Sequence, residues 1–257
     1  MKKGLILCTL IVLTVPAFAE TLQDEPTLGV TFDLTYVSKW MSRGREVWSE
    51  DGGFFETLDL DLWGTGFGTS VTHRSSTGDG WVNRQRLEYA VYYKNSLFDG
   101  SPYKMNYKAK WIYKNWYDNP RNKANVQAWV FNFSWPDILP IENLNPYYTV
   151  YYDSPAGSNY DVPKHAAGWV HLFGLGYNLN VADLPNPFRL TTEFGYTDGF
   201  RAADHDWSYA TLGISTKLKL TDSTSLVPGV YHQITMDDSV GQRKDITYCK
   251  VSLQYKF

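Results

Sequence analysis

Hydrophobic and polar residues alternate along most of the chain. In the stretch YKMNYKAKWIYK (residues 103–114), one set of alternate positions is entirely apolar or aromatic, and the other is polar except at Ile112. Successive side chains of a β-strand point to opposite faces, whereas a helix would scatter both sets around its axis. This segment is therefore predicted to be a strand with one aromatic and one basic face.

The same alternation recurs through the rest of the chain and predicts an all-β fold. The first segment, LGVTFDLTYVSKW (28–40), continues its apolar face as far as Trp40. We count about twelve such segments and leave a range of ten to fourteen open, because strand boundaries are loose in a single sequence. Longer, polar connections between the segments alternate with shorter ones. The longest of the shorter set is the proline-rich 135–146. The polar connections are 43–53, 74–81, 116–124, 153–166, 198–206 and 235–244.

The first nineteen residues have the three parts of a secretory signal peptide. Two lysines precede an apolar run from Leu5 to Val15, and the small-x-small triplet Ala17 to Ala19 follows. The run is about half of the roughly 20 residues that a membrane-spanning helix requires. We expect cleavage after Ala19, which leaves residues 20–257 as one domain of 238 residues (257 minus 19).

Charge and composition narrow the class of protein. Loss of the two signal-peptide lysines leaves 22 Lys and Arg against 27 Asp and Glu, a net charge of −5. This acidic balance argues against a nucleic-acid partner, and the single remaining cysteine, Cys249, excludes an intramolecular disulfide. An aromatic content of 16% is typical of two exported folds, the carbohydrate-binding sandwich and the outer-membrane barrel with aromatic girdles.

The C-terminus favours the barrel. The final residues, KVSLQYKF, resemble the C-terminal assembly signal of outer-membrane β-barrel proteins at Lys250, Ser252 (where Gly is usual), Tyr255 and Phe257. That resemblance implies outer-membrane lipid and the barrel-assembly machinery as partners. We predict a single transmembrane antiparallel β-barrel in the cell outer membrane, with both termini periplasmic and no cofactor.

In such a barrel the polar face of each strand lines the lumen. The alternation predicts a basic lumenal wall on two neighbouring strands and acidic residues on the first two strands; these are Arg84, Arg86, Lys104, Lys108, Lys110 and Lys114, and Asp33, Asp59 and Asp61. The electric field that these charges create across the lumen would select small ions or zwitterions. The predicted function is therefore a passive channel for small polar or charged solutes. The alternative is that these charges pair and plug the lumen. The protein would then be a structural or adhesive barrel that acts through loops 43–53 and 153–166.

Catalytic patterns are few. His73 and Ser75 lie two residues apart on the lipid-facing side, an arrangement that resembles outer-membrane phospholipases and lipid A deacylases. A third residue must orient the histidine, and the sequence offers no compelling candidate. We therefore expect no enzyme and keep lipid hydrolysis as an alternative. The triplet Asp204–Asp206 has side chains that bind metals, but three adjacent residues rarely converge on one ion, so we expect no metal site.

One stretch carries a family resemblance. DLTYVSKWMSRGREV (33–47), followed by LDLDLWGTGFG (58–68), resembles the opening of the TorF-type porin family of outer-membrane proteins. Their first strand carries Tyr-x-Ser and then an Arg-Gly pair, matched here by Tyr36, Ser38, Arg43 and Gly44. The resemblance implies a small barrel and supplies neither a solute nor site residues. A second likeness is to twelve-stranded channels with basic lumens for acidic oligosaccharides.

Overall fold

The computed structural model describes residues 27–80, 83–119, 124–156, 167–182, 184–240 and 244–257. The predicted signal peptide and its cleavage site lie outside the described residues. The strands are β1 (Gly29–Val37), β2 (Met41–Ser42), β3 (Arg45–Glu46), β4 (Gly53–Asp61), β5 (Phe67–Ser76), β6 (Gln85–Leu97), β7 (Met105–Asn115), β8 (Val126–Ser134), β9 (Leu144–Pro155), β10 (Gly168–Leu179), β11 (Phe188–Asp198), β12 (Asp206–Thr216), β13 (Leu218–Lys219), β14 (Thr224–Thr235) and β15 (Ile246–Lys256). Two short 3-10 helices lie at Phe200–Ala202 and Asp238–Val240.

Twelve of these strands form one closed antiparallel barrel. Each long strand pairs with the next along the chain, and β1 closes the ring by pairing with β15, Leu34 opposite Leu253. Strand β13, of two residues, follows β12 and pairs with the same neighbour, β14. Strands β2 and β3 pair with each other and form a separate hairpin. The predicted all-β fold and the count of twelve strands are confirmed.

The outer face of the barrel is a belt of apolar and aromatic side chains. Leu58, Val91 and Leu175, at positions predicted to face outward, are 43%, 54% and 45% exposed. Soluble proteins rarely expose so continuous an apolar surface. A closed barrel also leaves no strand edge unpaired, which the hydrocarbon core of a membrane requires. No helix in the described part of the chain is long and apolar enough to cross a membrane.

The two ends of the barrel have different connections. At one end, called here the turn end, strands are joined by the turns 62–66, 98–104, 135–143, 180–187 and 220–223. The first strand begins and the last strand ends at this end, where the backbone N–H of Phe257 donates to the carbonyl of Val30 (3.1 Å). The other end, the loop end, carries connections that are longer on average, as the sequence predicted, although 135–143 at the turn end is longer than 199–205. That the turn end faces the periplasm stays a prediction.

Glycines position several tyrosines on the inner face. Tyr92, Tyr147 and Tyr209 pack flat against Gly68, Gly174 and Gly195 on neighbouring strands, at distances that leave no space for a Cβ atom. Tyr231 packs on Gly213 in the same way. A glycine in a strand often marks such a close approach. The inner wall is therefore shaped by fixed tyrosine rings as well as by charges.

Candidate functional site: the barrel lumen

A cavity at the turn end and a cavity at the centre of the barrel are lined by described residues. The turn-end cavity, of about 700 Å³, has Lys94 and Lys108 in its lining. The central cavity, of about 560 Å³, is lined by strands from all sides of the barrel and includes Lys110. Asn132 and Tyr147 line both cavities, so the two spaces adjoin.

Glu88 fixes two arginines on the inner wall. Arg74 Nε donates to Glu88 Oε1 (2.9 Å), and the guanidinium of Arg86 contacts the same carboxylate. Arg86 also lies over the rings of Trp40 and Trp116, at 4.3 and 4.9 Å from their centres. Both charges are thus paired, and Arg86 is buried. Their geometry fits a structural role better than contact with a mobile solute.

Asp153 at the end of β9 holds a second pair of cations. Lys114 Nζ lies 3.1 Å from Asp153 Oδ1, and Arg43 contacts the other carboxylate oxygen. Lys114 and Asp153 are 4% and 2% exposed. The Arg43 guanidinium lies 5.1 Å from the ring centre of Tyr151 and 5.0 Å from that of Phe200. Sequence analysis did not find Asp153, because β9 is aromatic on both faces and its orientation was ambiguous.

Arg43 reaches Asp153 because part of the first loop folds into the barrel. Strands β2 and β3 form a hairpin, the inner hairpin (residues 41–46), around an Arg43–Gly44 turn with φ values of 52° and 80°. Two-residue turns of this type need positive φ at both positions, which glycine adopts without strain. The hairpin leaves the barrel wall between β1 and β4, and β9 lies five strands from β4 and six from β1. It therefore crosses the lumen to the opposite wall, and the Gly44 carbonyl also accepts a hydrogen bond from Gln233 Nε2 of β14, two strands from β1 (2.9 Å).

An aromatic cluster at the loop end supports the inner hairpin. The ring of Trp40 lies 4.5 Å from Trp48, 5.5 Å from Phe55 and 5.9 Å from Trp116. Two predictions are corrected here. Trp40 does not face lipid, because β1 ends at Val37 and the alternation ends with it. The loop 43–53 is not wholly a surface loop, since the hairpin brings its first residues inside.

Ion pairs also hold the first loop at its base. Lys39 Nζ lies 3.5 Å from Glu46 Oε1. Lys244, near the end of the last loop, donates to Glu50 Oε1 (2.7 Å), and this hydrogen bond lowers the pKa of Glu50. The second candidate surface loop, 153–166, lies mostly outside the described residues.

The predicted acidic residues do not form a separate wall. Asp61 Oδ2 lies 2.5 Å from Lys94 Nζ, and Asp59 accepts a hydrogen bond from the hydroxyl of Tyr92 (2.8 Å). Lys108 Nζ lies 3.6 Å from the centre of the same Tyr92 ring. Acidic side chains of β4 thus reach across β5 to groups on β6. One of the predicted acidic charges, that of Asp61, is therefore paired with a lysine and does not add to a field across the lumen.

Two predicted lumenal cations lie at the ends of strands instead. Arg84 precedes β6, contacts Asp51 and donates to Ser76 Oγ (3.2 Å) at the loop end. Lys104 precedes β7 and pairs with Asp99 (3.1 Å) in a turn. Outside a strand, alternation no longer fixes the direction of a side chain. For this reason neither residue belongs to the wall of the central cavity.

Lys110 and Lys250 differ from the other inner cations. Both line the central cavity, and neither forms an ion pair or side-chain hydrogen bond with any described residue. They lie on β7 and β15, five strands apart in the ring of twelve, and so nearly face each other. Asp33, on β1 beside Lys250, accepts a hydrogen bond from Gln254 Nε2 (3.0 Å). Lys250 entered the sequence analysis only as part of the assembly signal, so its place in the lumen was missed.

The other residues of that signal close the barrel. Ser252 is buried and contacts Thr35 Oγ1 on the inner face of β1. The rings of Tyr255 and Phe257 lie on the outer face, 4.7 Å apart. Recognition of these residues by the assembly machinery stays a prediction.

His73 has a carboxylate partner that the sequence did not reveal. Glu56, its cross-strand neighbour on β4, places Oε2 2.7 Å from His73 Nδ1. His73 Nε2, however, lies 2.9 Å from the hydroxyl of Tyr117. A serine hydrolase needs that nitrogen at the serine. No hydrogen bond between described residues joins His73 to Ser75.

The triplet at 204–206 is spread among different partners. His205 contacts Asp198, and the backbone N–H of Asp204 donates to Ser239 Oγ (2.9 Å). Over the described ranges, no three His, Cys, Asp or Glu side chains gather as a metal site would require.

A closed twelve-stranded barrel with an apolar belt and a charged lumen has the architecture of outer-membrane porins. At the level of sequence, no family model matches the chain, and no curated protein does. Among solved structures, a KdgM porin matches with a TM-score of 0.56 at 10% identity, over 88% of this chain and 99% of that one. A NanC porin gives 0.55 at 13% identity, over 88% and 100%. A KdgM porin in complex with disordered oligogalacturonate gives 0.53 at 11%, over 89% and 99%. The chain therefore has the fold of porin-like outer-membrane barrels, while the resemblance to the TorF-type family stays a prediction.

Proposed function

We propose that the protein is an outer-membrane channel that admits small polar solutes and favours anions. One observation carries the proposal: Lys110 and Lys250 line the central cavity without an ion-pair partner among the described residues. Fixed charge in a narrow space with low-dielectric walls attracts ions of opposite sign. The apolar belt and the closed ring of strands support a place in the outer membrane.

The plugged alternative rests on the inner hairpin and on the two paired clusters at Glu88 and Asp153. These groups narrow the lumen at the loop end. Two adjoining cavities remain below them, however, and cations without ion pairs lie in the central one. A lumen filled for stability alone would pair or exclude such charges, because an unpaired buried charge is costly. An open, water-filled path therefore explains the lysines without ion pairs better than a plug does.

Orientation and family follow from the same proposal. Outer-membrane barrels place short turns in the periplasm and long loops outside, so both termini would be periplasmic and the inner hairpin would lie at the external mouth. Membership in the TorF-type porins would agree with this arrangement. The KdgM porin in the comparison is described with oligogalacturonate, a polyanion. An acidic sugar is therefore a suitable first solute to test here.

The experiment compares galacturonate with galactose, which differ by a carboxylate, for entry into liposomes that contain the purified barrel. We expect galacturonate to enter faster. The double variant Lys110→Gln/Lys250→Gln should bring its rate down to that of galactose. The matched control is Lys217→Gln/Lys219→Gln at the turn end, where the Lys219 side chain is 64% exposed and pairs with Asp222. Entry no faster than into protein-free liposomes, for both sugars, would contradict the proposal.

A further inference from the structure

Glu193 is an inner carboxylate without a cation partner. It lies on β11, four strands from β7 and three from β15, and it lines the central cavity together with Lys110 and Lys250. No cation in the described part of the chain forms an ion pair with it. Glu88, the other carboxylate in the lining of the central cavity, differs because it pairs with two arginines.

Two tyrosine hydroxyls hold this carboxylate in place. Tyr147 donates to Glu193 Oε2 (3.1 Å) from β9, and Tyr209 donates to Oε1 (3.4 Å) from β12. Each ring is fixed in turn by close packing on a glycine, Gly174 for Tyr147 and Gly195 for Tyr209. The carboxylate, its two donors and their supports thus come from four neighbouring strands. The packing of both rings therefore fixes the position of the two hydroxyl groups that hold the Glu193 carboxylate.

The site lacks a positive charge. Glu193 is half-buried, and a carboxylate partly shielded from bulk water is stabilised by a cation nearby. Two neutral hydroxyl donors use only part of its capacity, since a carboxylate accepts about four hydrogen bonds. The faces of the surrounding tyrosine rings also attract ammonium groups. These features match the chemistry of a protonated amine.

We propose that Glu193, Tyr147 and Tyr209 form a subsite for the ammonium group of a zwitterionic solute, whose carboxylate is held by Lys110 or Lys250. The inference rests on the proposed channel function and specifies its solute class. A simple cation would be repelled by Lys110, Lys250 and the inner hairpin's arginine. A simple anion would leave Glu193 without a counter-charge. A small molecule that carries both charges satisfies both sides of the central cavity.

Three solutes that share one carbon chain and differ in their charged ends separate these possibilities: ε-aminocaproate, caproate and n-hexylammonium. The measurement is the concentration at which each one halves the KCl current through the purified barrel in a planar bilayer. We expect ε-aminocaproate to act at a concentration about tenfold lower than either of the others, the factor that one added charge-assisted hydrogen bond supplies. Glu193→Gln keeps the shape of the side chain and should remove that advantage. Glu56→Gln, the same change on the outer face, should keep it.

The outcomes are distinct. If ε-aminocaproate acts no better than caproate on the native protein, the subsite is wrong, although the KCl current still supports a channel. The same conclusion follows if Glu193→Gln and Glu56→Gln behave alike. Absence of any KCl current would overturn the channel itself. Because the comparison of solutes on the native protein is decisive alone, a folding defect in the variant does not remove the test.

Discussion

Inside the lumen, the loop end and the turn end of the barrel hold charged residues in different ways. At the loop end, Arg43 and Lys114 are largely buried against Asp153, and Arg43 lies over the rings of Tyr151 and Phe200. At the turn end, Asp61 and Lys94 also form a pair, but their side chains are 28% and 48% exposed beside the turn-end cavity. The same residue types therefore hold the fold together at one end and meet water at the other.

The two ends differ in how far water reaches their charged side chains. A buried pair that loses one partner leaves an uncompensated charge in a low-dielectric interior, whereas water screens a charge exposed by the loss of a surface partner. The inner hairpin and the paired clusters occupy the lumen at the loop end, whereas the solvated pair borders a cavity of about 700 Å³ at the turn end. We infer that the loop end limits the size of a solute, while selection by charge occurs below it, at Lys110, Lys250 and Glu193.

The largest expected effect is on stability, at Asp153. Asp153→Asn leaves Arg43 and Lys114 buried without a counter-charge and should lower the free energy of unfolding by about 3–5 kcal/mol. Asp61→Asn, the same change at the turn end, should cost less than about 1 kcal/mol. The measurement is urea unfolding of the refolded barrel, followed by tryptophan fluorescence. Similar losses for both variants would contradict the contrast between the two ends.

The inner hairpin should control conductance. The backbone N–H of Val47 donates to the carbonyl of Trp40 (2.8 Å), so residues 41–46 can be replaced by a two-glycine turn without moving the two ends apart. Because this removes the segment that crosses the lumen, we expect a larger single-channel conductance with the same sign of ion selectivity. An unchanged conductance would show that the hairpin does not narrow the path.

Charge reversal on β7 should change selectivity with little effect on assembly. Lys108→Glu/Lys110→Glu should move the reversal potential in a salt gradient toward cation selectivity, since lumenal charge tunes which ions pass. The control is Lys217→Glu/Lys219→Glu at the turn end. Heat-modifiable gel mobility shows whether each barrel is folded. An unchanged reversal potential in a folded double variant would place this face outside the conduction path.

The smallest effect is expected on the outer face. With His73 Nε2 at Tyr117, we expect no release of fatty acid from phospholipid or lipid A, with or without Ca²⁺. Ser75→Ala should then be indistinguishable from the native protein in the same assay. Hydrolysis that Ser75→Ala abolishes would support the enzymatic alternative, with Glu56 as the residue that orients the histidine.

Much of the fold could be predicted because each strand meets two different solvents. Lipid on one side and water on the other impose an alternation that is visible within ten residues, as in 103–114. The closure of the ring was predictable for a related reason, since a membrane tolerates no unpaired strand edge. These are local or general constraints, so one sequence suffices to show them.

The lumen was less predictable because its contacts join residues far apart in the chain. Trp40 and Trp48 are buried by Phe55 and Trp116, and the inner hairpin is fixed by Asp153. The Arg43–Gly44 pair, which fits a tight turn, was the one local signal of the hairpin. Likewise, the alternation along β11 puts Glu193 on the inner face, but no local pattern shows that it lacks a cation.

The central claim is that the barrel encloses a water-filled path that favours anions. The most direct test is a planar-bilayer recording of the purified native protein in a KCl gradient. The account predicts discrete, steady current steps and a reversal potential of the sign that chloride selectivity gives. A correctly folded barrel that inserts and yet carries no steady current would contradict it, and would identify the inner hairpin and the paired charges as a permanent plug.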